Sequence, residues 1–221
     1  MPDDQALKKD QFVLLVTRHG KAKAIVPPLR NAFGARVGLA MGVDTDQVRR
    51  ERVSNGPLNA ALSKVQAGFD TVPYAQFAIA SAGSFSLDTT TPAIMSGFEV
   101  VVLAERSAGT LAVGRSEIKQ PRDSVRCDTI EAAATFAASL GFPRRAVRLL
   151  VPNSPCTVEI EGQDELMDAI SLAMGSEGFV LFEGDRRANR CLWRMDAIRR
   201  ATEDLVAVLV ASTPHPNLLG A

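Results

Sequence analysis

The stretch Phe12-Val13-Leu14-Leu15-Val16-Thr17 is apolar at every position but the last. A strand with one solvated face alternates apolar and polar residues. A strand with no alternation has both faces covered, as in a parallel sheet. The same signature returns in "FAIASAGSFS" (77–86), "EVVVLAE" (99–105), "AVRLLVPN" (146–153) and "GFVLFE" (178–183). "ARVGLAMGV" (35–43) is a further strand candidate, and "TVEIEG" (157–162) alternates like an exposed strand. "FAIASAGSFS" reads as a strand that runs into a small-residue loop.

Helix-periodic segments lie between these runs. Residues 21–33 place Ile25, Leu29 and Phe33 at fourfold spacing and stop at Gly34. Pro27 and Pro28 predict a kink or a late start, since an interior proline costs ~3 kcal/mol. Pro57 suits a first helical position, and Leu58, Ala61, Leu62, Val65 and Phe69 then share a face. Asp128-x-x-Glu131 reads as a capping box with an Asp cap, followed by Ile130, Ala134, Ala137 and Leu140 and stopped by Gly141 and Pro143. Further helices are predicted over 164–174 and 188–211, the last carrying Met195, Ile198, Leu205 and Leu209. Strands alternating with helices predict an α/β fold: a mixed, mostly parallel sheet with helices on both faces and a long C-terminal helix. The hairpin signal at Ser107-Ala108-Gly109 makes the sheet mixed. No repeat and no convincing linker divides the chain, so one α/β domain is expected over 1–221, with loose tails at 1–10 and 212–221. "PNSP" (152–155) is the weakest seam.

Lys+Arg and Asp+Glu both number 25 in 221 residues, which argues against general nucleic-acid binding. The polar start "MPDDQALKKDQ" does not read as an export signal, so none is expected, and no apolar run approaches the ~20 residues that span a bilayer. Cys127, Cys156 and Cys191 are isolated and form no C-x-x-C, which suits reduced, structural thiols in a cytoplasmic protein.

Four polar segments are candidates for chemistry, because ligands gather at the carboxyl ends of strands in open α/β sheets. The first is Thr17-Arg18-His19-Gly20-Lys21. A helix starting here offers free N–H groups, Arg18 and Lys21 add charge, and Gly20 permits close approach. It is either an anion seat or a solvated corner, and it lacks the Walker pattern. His19 is a candidate acid or base. The second is Asp44-Thr45-Asp46, where paired carboxylates hold Mg²⁺ or orient a water, or form a purely local Asp turn. The third is the expected loop Ala80–Ser86, where Ser81, Gly83 and Ser84 line a pocket or make a tight turn. The fourth is "EGDRRANRCLWR" (183–194). Arg186, Arg190 and Arg194 recur every four residues and are expected on one helix face, with Asp185 as its cap. Acidic neighbours or a phosphate would compensate them.

These segments resemble a bacterial domain family of unknown function, whose members carry T-x-H-G-K, G-x-D-T-D, A-S-E-G-S-F, G-F-P and D-M-R-A-H-x-N-x-x-R in that order. The counterparts are "TRHGK" (17–21), "GVDTD" (42–46), "ASAGSF" (80–85), "GFP" (141–143) and "DRRANRCLWR" (185–194). The Glu of the third motif is Ala82 here, and the His of the last is Asn189. "TRHGKAK" and "NAALSKVQAG" (59–68) are also similar in order to nucleoside triphosphate pyrophosphatases of the inosine triphosphatase type. The acidic residues that hold Mg²⁺ in such enzymes have no counterparts at matching places, and it is the four polar segments taken together that predict an anionic small-molecule ligand, phosphorylated, with a nucleotide among the candidates. Arg18, Gly20, Lys21, Ser81, Gly83 and Ser84 would bind it, and Asp185, Arg187, Asn189 and Arg194 would clamp it. Mg²⁺ would sit on Asp44 and Asp46, and the reaction would be phosphoanhydride hydrolysis using His19, Asp44 and Asp46. The alternative is a non-catalytic binding module, or a homodimer assembled through the C-terminal helix at Leu205.

Overall fold

In the computed structural model, which describes residues 7–18, 20–45, 56–87, 94–150, 157–160, 162–185 and 187–212, the first apolar run is strand β1, Phe12–Val16. β1 pairs in parallel with β2 (Arg36–Leu39), Val13 opposite Val37, and with β3 (Phe77–Leu87), Val16 opposite Ala80. Helix α1 (Ala22–Phe33) links β1 to β2, and α2 (Pro57–Thr71) leads on to β3. β4 (Ile94–Glu105) and β5 (Gly109–Pro121) complete the order β2-β1-β3-β4-β5. The end of β4 returns to the start of β3, where the Arg106 N–H donates to the Gln76 carbonyl (2.8 Å). The chain steps from β1 to one side, at β2, and then to the other, at β3. The carboxyl end of β1 is therefore the switch point of the sheet.

Alternate residues of β1 face opposite ways, and both sets are buried. Leu14 and Val16 pack with Ala78, Ala80 and Ala104 against Val65 and Phe69 of α2. Val13, Leu15, Ile79, Val101 and Leu103 fill the other face and are wholly buried. That face belongs to α1 and the long C-terminal helix α5 (Leu192–Ser212), which together line a groove through Pro27, Pro28 and Val206. α5 presses on β5 at Gly114, where an added Cβ would fall 1.9 Å from the Ala201 carbonyl oxygen. The Arg115 N–H donates to Asp204 (2.9 Å) alongside. Arg106 closes the C-terminus of α2, donating to the Phe69 carbonyl (2.9 Å) while its guanidinium lies over the Phe69 ring. Leu205, the expected dimer contact, is wholly buried within the chain, while Val208 and Val210 of α5 are exposed.

α1 starts at Ala22 despite Pro27 and Pro28, so the late start is not seen. Burial of Ala24, Ile25 and Leu29 outweighs the two lost N–H donors. Gly34, at φ 62°, closes the helix.

The contacts divide the chain into two compact units. The first is Met1–Ser86, Gly97–Ile118 and Trp193–Ala221, and the second is Leu87–Ser96 and Lys119–Leu192. The second contains β6 (Ser124–Cys127), α3 (Ile130–Ser139), β7 (Val147–Leu150), β8 (Thr157–Ile160), α4 (Gln163–Glu177) and β9 (Val180–Gly184). Its four strands run in the order β6-β9-β7-β8 with every neighbour antiparallel. α3 and α4 cover one face through Ala133, Ala137, Leu166 and Ile170. The other face carries a cross-strand row in which Arg148 stands opposite both Glu159 and Glu183 and bonds Glu183 at 2.8 Å. The parallel strands are therefore confined to β2-β1-β3, and the mixed α/β character comes from two sheets.

Three local expectations are corrected. The cap of α3 is Thr129, whose Oγ1 accepts from the Ala132 N–H (3.1 Å), and Asp128 stands one residue outside, paired with Arg126. α4 runs through Gly175 to Glu177, with Gly178 as its C-cap. The arginines of the last motif do not share a helix face. Arg190 ends a 3₁₀ turn at Ala188–Arg190, and Cys191 is extended, which breaks the register before Arg194 enters α5. Arg186 lies outside the described residues.

Candidate functional site

β1 ends at Val16, and the chain turns through Gly20, at φ 66°, a conformation that favours glycine. Lys21 is the N-cap of α1. It offers no side-chain cap, and the first turn of α1 holds no acidic residue. The positive end of the helix dipole therefore meets a cationic side chain. Lys21 is buried, and its Nζ donates to Ser81 Oγ (3.0 Å). Ser81 lies on β3 just past the last pairing with β1. Lys64, half-buried on α2, donates its Nζ to the Ser81 carbonyl (3.0 Å). Two ammonium groups from two helices thus converge on one residue at the switch point.

Arg18 Nη1 donates to Asp44 Oδ1 (3.1 Å), with both side chains about half exposed (49% and 48%). That contact joins the turn after β1 to the segment after β2. His19 and Asp46 lie outside the described residues. Of the expected Mg²⁺ pair, only Asp44 is described, and it is engaged by Arg18. Among the described residues no group of three or more His, Cys, Asp or Glu could hold a metal ion.

The segment Ala80–Ser86 is not a loop; it is the second half of β3. Its small residues are close-approach devices. A Cβ at Gly83 would lie 2.2 Å from Glu99 Oε1, and one at Gly97 would lie 2.0 Å from the Ser84 carbonyl oxygen. Strand alternation puts Ser81 and Gly83 on one face and Ser84 on the other. Glu99 is fully buried on β4, and Arg194 from the first turn of α5 donates its Nε to Glu99 Oε1. Arg194 also lies 5.5 Å from the centre of the Phe85 ring. Glu99 Oε2 is buried with no hydrogen-bond partner among the described residues.

Asp185, Arg187 and Asn189 belong to the second unit. Asp185 is fully buried and accepts from the Arg187 N–H (2.9 Å) and side chain, while Arg187 also reaches Glu159 (2.7 Å). Burial works to raise the Asp185 pKa, but the Arg187 hydrogen bonds and charge outweigh it and hold the carboxyl below its ordinary value. The hydrogen bond from Asp185 raises Arg187 in turn. Asp185 thus braces the turn after β9 and does not cap a helix, and the Arg187 guanidinium is neutralised by two carboxylates. Asn189 is exposed in the 3₁₀ turn. Cys127 and Cys191 are buried free thiols; burial, then the Asp128 charge, pushes Cys127 up, away from thiolate chemistry.

The sequence pointed to Lys21 and Ser81, which meet, and to Arg18 and Asp44, which meet. It missed Lys64 and Glu99. A signal for Glu99 was present: a lone carboxylate in "GFEVVV", at a position inside an apolar strand.

No protein-family model matches the chain, and no curated protein matches it; the ordered motifs remain a resemblance. Among solved structures, the chain is weakly similar to the Ham1 protein of Staphylococcus aureus, with 10% identity and a TM-score of 0.35 over 50% of this chain and 71% of that one. It is likewise weakly similar to lipoprotein GNA1162 of Neisseria meningitidis (10% identity, TM-score 0.27, 51% of this chain and 83% of that one). A third likeness is to the hypothetical protein CT253 of Chlamydia trachomatis (12% identity, TM-score 0.29, 51% and 73%). Likeness at this level assigns no function. No helix among the described residues is long and apolar enough to cross a membrane.

Proposed function

We propose that the first unit binds a phosphorylated small molecule, a nucleotide among the candidates, at the carboxyl end of β1. The observation that carries this reading is the convergence of Lys21 and Lys64 on Ser81. Both ammonium groups donate to Ser81, and a phosphate within reach of the two would accept a charge-assisted hydrogen bond from each. The acid-free first turn of α1 and the Gly20 turn add N–H groups and a favourable dipole. Arg18 stands at the rim. Such a cluster neutralises charge on a phosphoryl group, and hydrolysis of a phosphoanhydride is the reaction to test first.

Pyrophosphate and nucleoside triphosphates are expected to raise the melting temperature, with and without Mg²⁺. Lys64→Met is expected to weaken binding by about tenfold, the effect of losing one charge-assisted hydrogen bond. A flat thermal response to every phosphate compound, or Lys64→Met binding like the parent, overturns the reading. A second reading, binding without turnover, is favoured by the Arg18–Asp44 pair, which engages the described carboxylate that Mg²⁺ would need. Phosphate release from nucleoside triphosphates across a Mg²⁺ titration separates the two.

A further inference from the structure

We infer that Glu99 selects the organic part of the ligand: it accepts a hydrogen bond from a hydroxyl or amino group attached to the bound phosphate. The inference rests on the phosphate seat proposed above. Ser81 and Gly83 are successive positions on the same face of β3, about 6.5 Å apart along the strand. Lys21 bonds Ser81, and the Glu99 carboxylate lies directly over Gly83, where any side chain would collide with it. A donor about that far from phosphorus, as on a sugar phosphate, therefore reaches from the seat to Glu99.

The carboxylate itself points to a ligand. Glu99 is fully buried, Arg194 fixes Oε1, and Oε2 has no hydrogen-bond partner among the described residues. A buried carboxylate oxygen without a partner costs free energy, and native proteins keep few of them. An incoming O–H or N–H satisfies it; an alkyl group or a second phosphate does not. Arg194 is the more exposed member of the pair, at 15% against 0%, so the donor approaches past its side chain. The guanidinium holds Oε1 and leaves Oε2 facing the ligand, which favours a donor over a further anion at this end.

The test compares inorganic phosphate, propyl phosphate and ribose 5-phosphate by titration calorimetry on the full chain. Ribose 5-phosphate is expected to bind about tenfold more tightly than propyl phosphate, the strength of one hydrogen bond to a charged group. In Glu99→Gln that preference is expected to vanish, while inorganic phosphate binds as in the parent, which also shows that the variant is folded. If Glu99→Gln does not fold, Glu99→Asp keeps the charge facing Arg194 and withdraws the oxygens by one methylene. It is expected to lose most of the preference. Equal affinity for the two esters in the parent chain, or a preference that survives the folded Glu99 variants, overturns the inference and leaves the phosphate seat standing. If none of the three compounds binds, the seat fails and this inference falls with it.

Discussion

Asp185 shows how one side chain ties stability to pH. Its pKa in the folded chain lies below the ordinary value of about 3.9, so as pH falls the unfolded chain takes up the proton first. The stabilisation is complete above about pH 3.9 and is lost as pH drops through the lower, folded value. Asp185→Asn is therefore expected to lower stability at neutral pH by ~1–3 kcal/mol. The difference from the parent should shrink below about pH 3.9, as seen in urea midpoints across the acid range. A constant difference from pH 7 to the acid limb would exclude the Arg187 pairing as its source. Glu99 and Arg194 form the second buried pair to probe. Arg194→Ala leaves a buried carboxylate without its cation and is expected to cost ~3–5 kcal/mol in chemical unfolding. At this scale the sequence was half legible. Lys21 was visible because it stands between a strand and the start of a helix, and Ser81 because it is a hydroxyl in a run of small residues. Lys64 was not, because its partner is a backbone carbonyl 17 residues away on β3. Glu99 was obscured because a single charge in an apolar strand looks like an exposed position until its burial is known.

Elements built from strong periodic signals came through well. β1 was legible because both of its faces are covered, and α2 because Pro57 stands at its first turn. The second half of β3 was not. Its serines, alanines and glycine looked like loop, yet small side chains are what let Glu99 lie on Gly83 and the Ser84 carbonyl approach Gly97. The arginine spacing at 186–194 misled for the converse reason: an extended Cys191 interrupts a period that sequence alone carries through. Three substitutions test the elements directly. Gly114→Ala drives a methyl into the backbone of α5 and is expected to destabilise by at least ~1–3 kcal/mol, read from the denaturant midpoint. An unchanged midpoint would mean that α5 does not lie against β5. Thr129→Ala should cost ~1 kcal/mol through the lost cap of α3. Asp128→Ala, which removes an exposed ion pair, should stay within about 0.5 kcal/mol, and the reverse order would restore Asp128 as the cap.

Across the whole molecule, equal numbers of basic and acidic residues leave no general cationic field. The full chain should elute from heparin near ~0.15 M salt, where surface charges are screened beyond about 8 Å. Retention far above that would reveal an extended basic surface. The division into two units was not legible. No shift in composition marks positions 86, 96, 118 or 192, because each unit draws on the same apolar vocabulary, and only the separate cores reveal it. The way these segments are threaded sets an order for biosynthesis. The inserted unit is complete once Leu192 has left the ribosome, whereas the host unit must wait for Trp193 onward to supply α5. The later-starting body can therefore close first, and until α5 has been made the Gly114 side of β5 lacks the helix that packs on it.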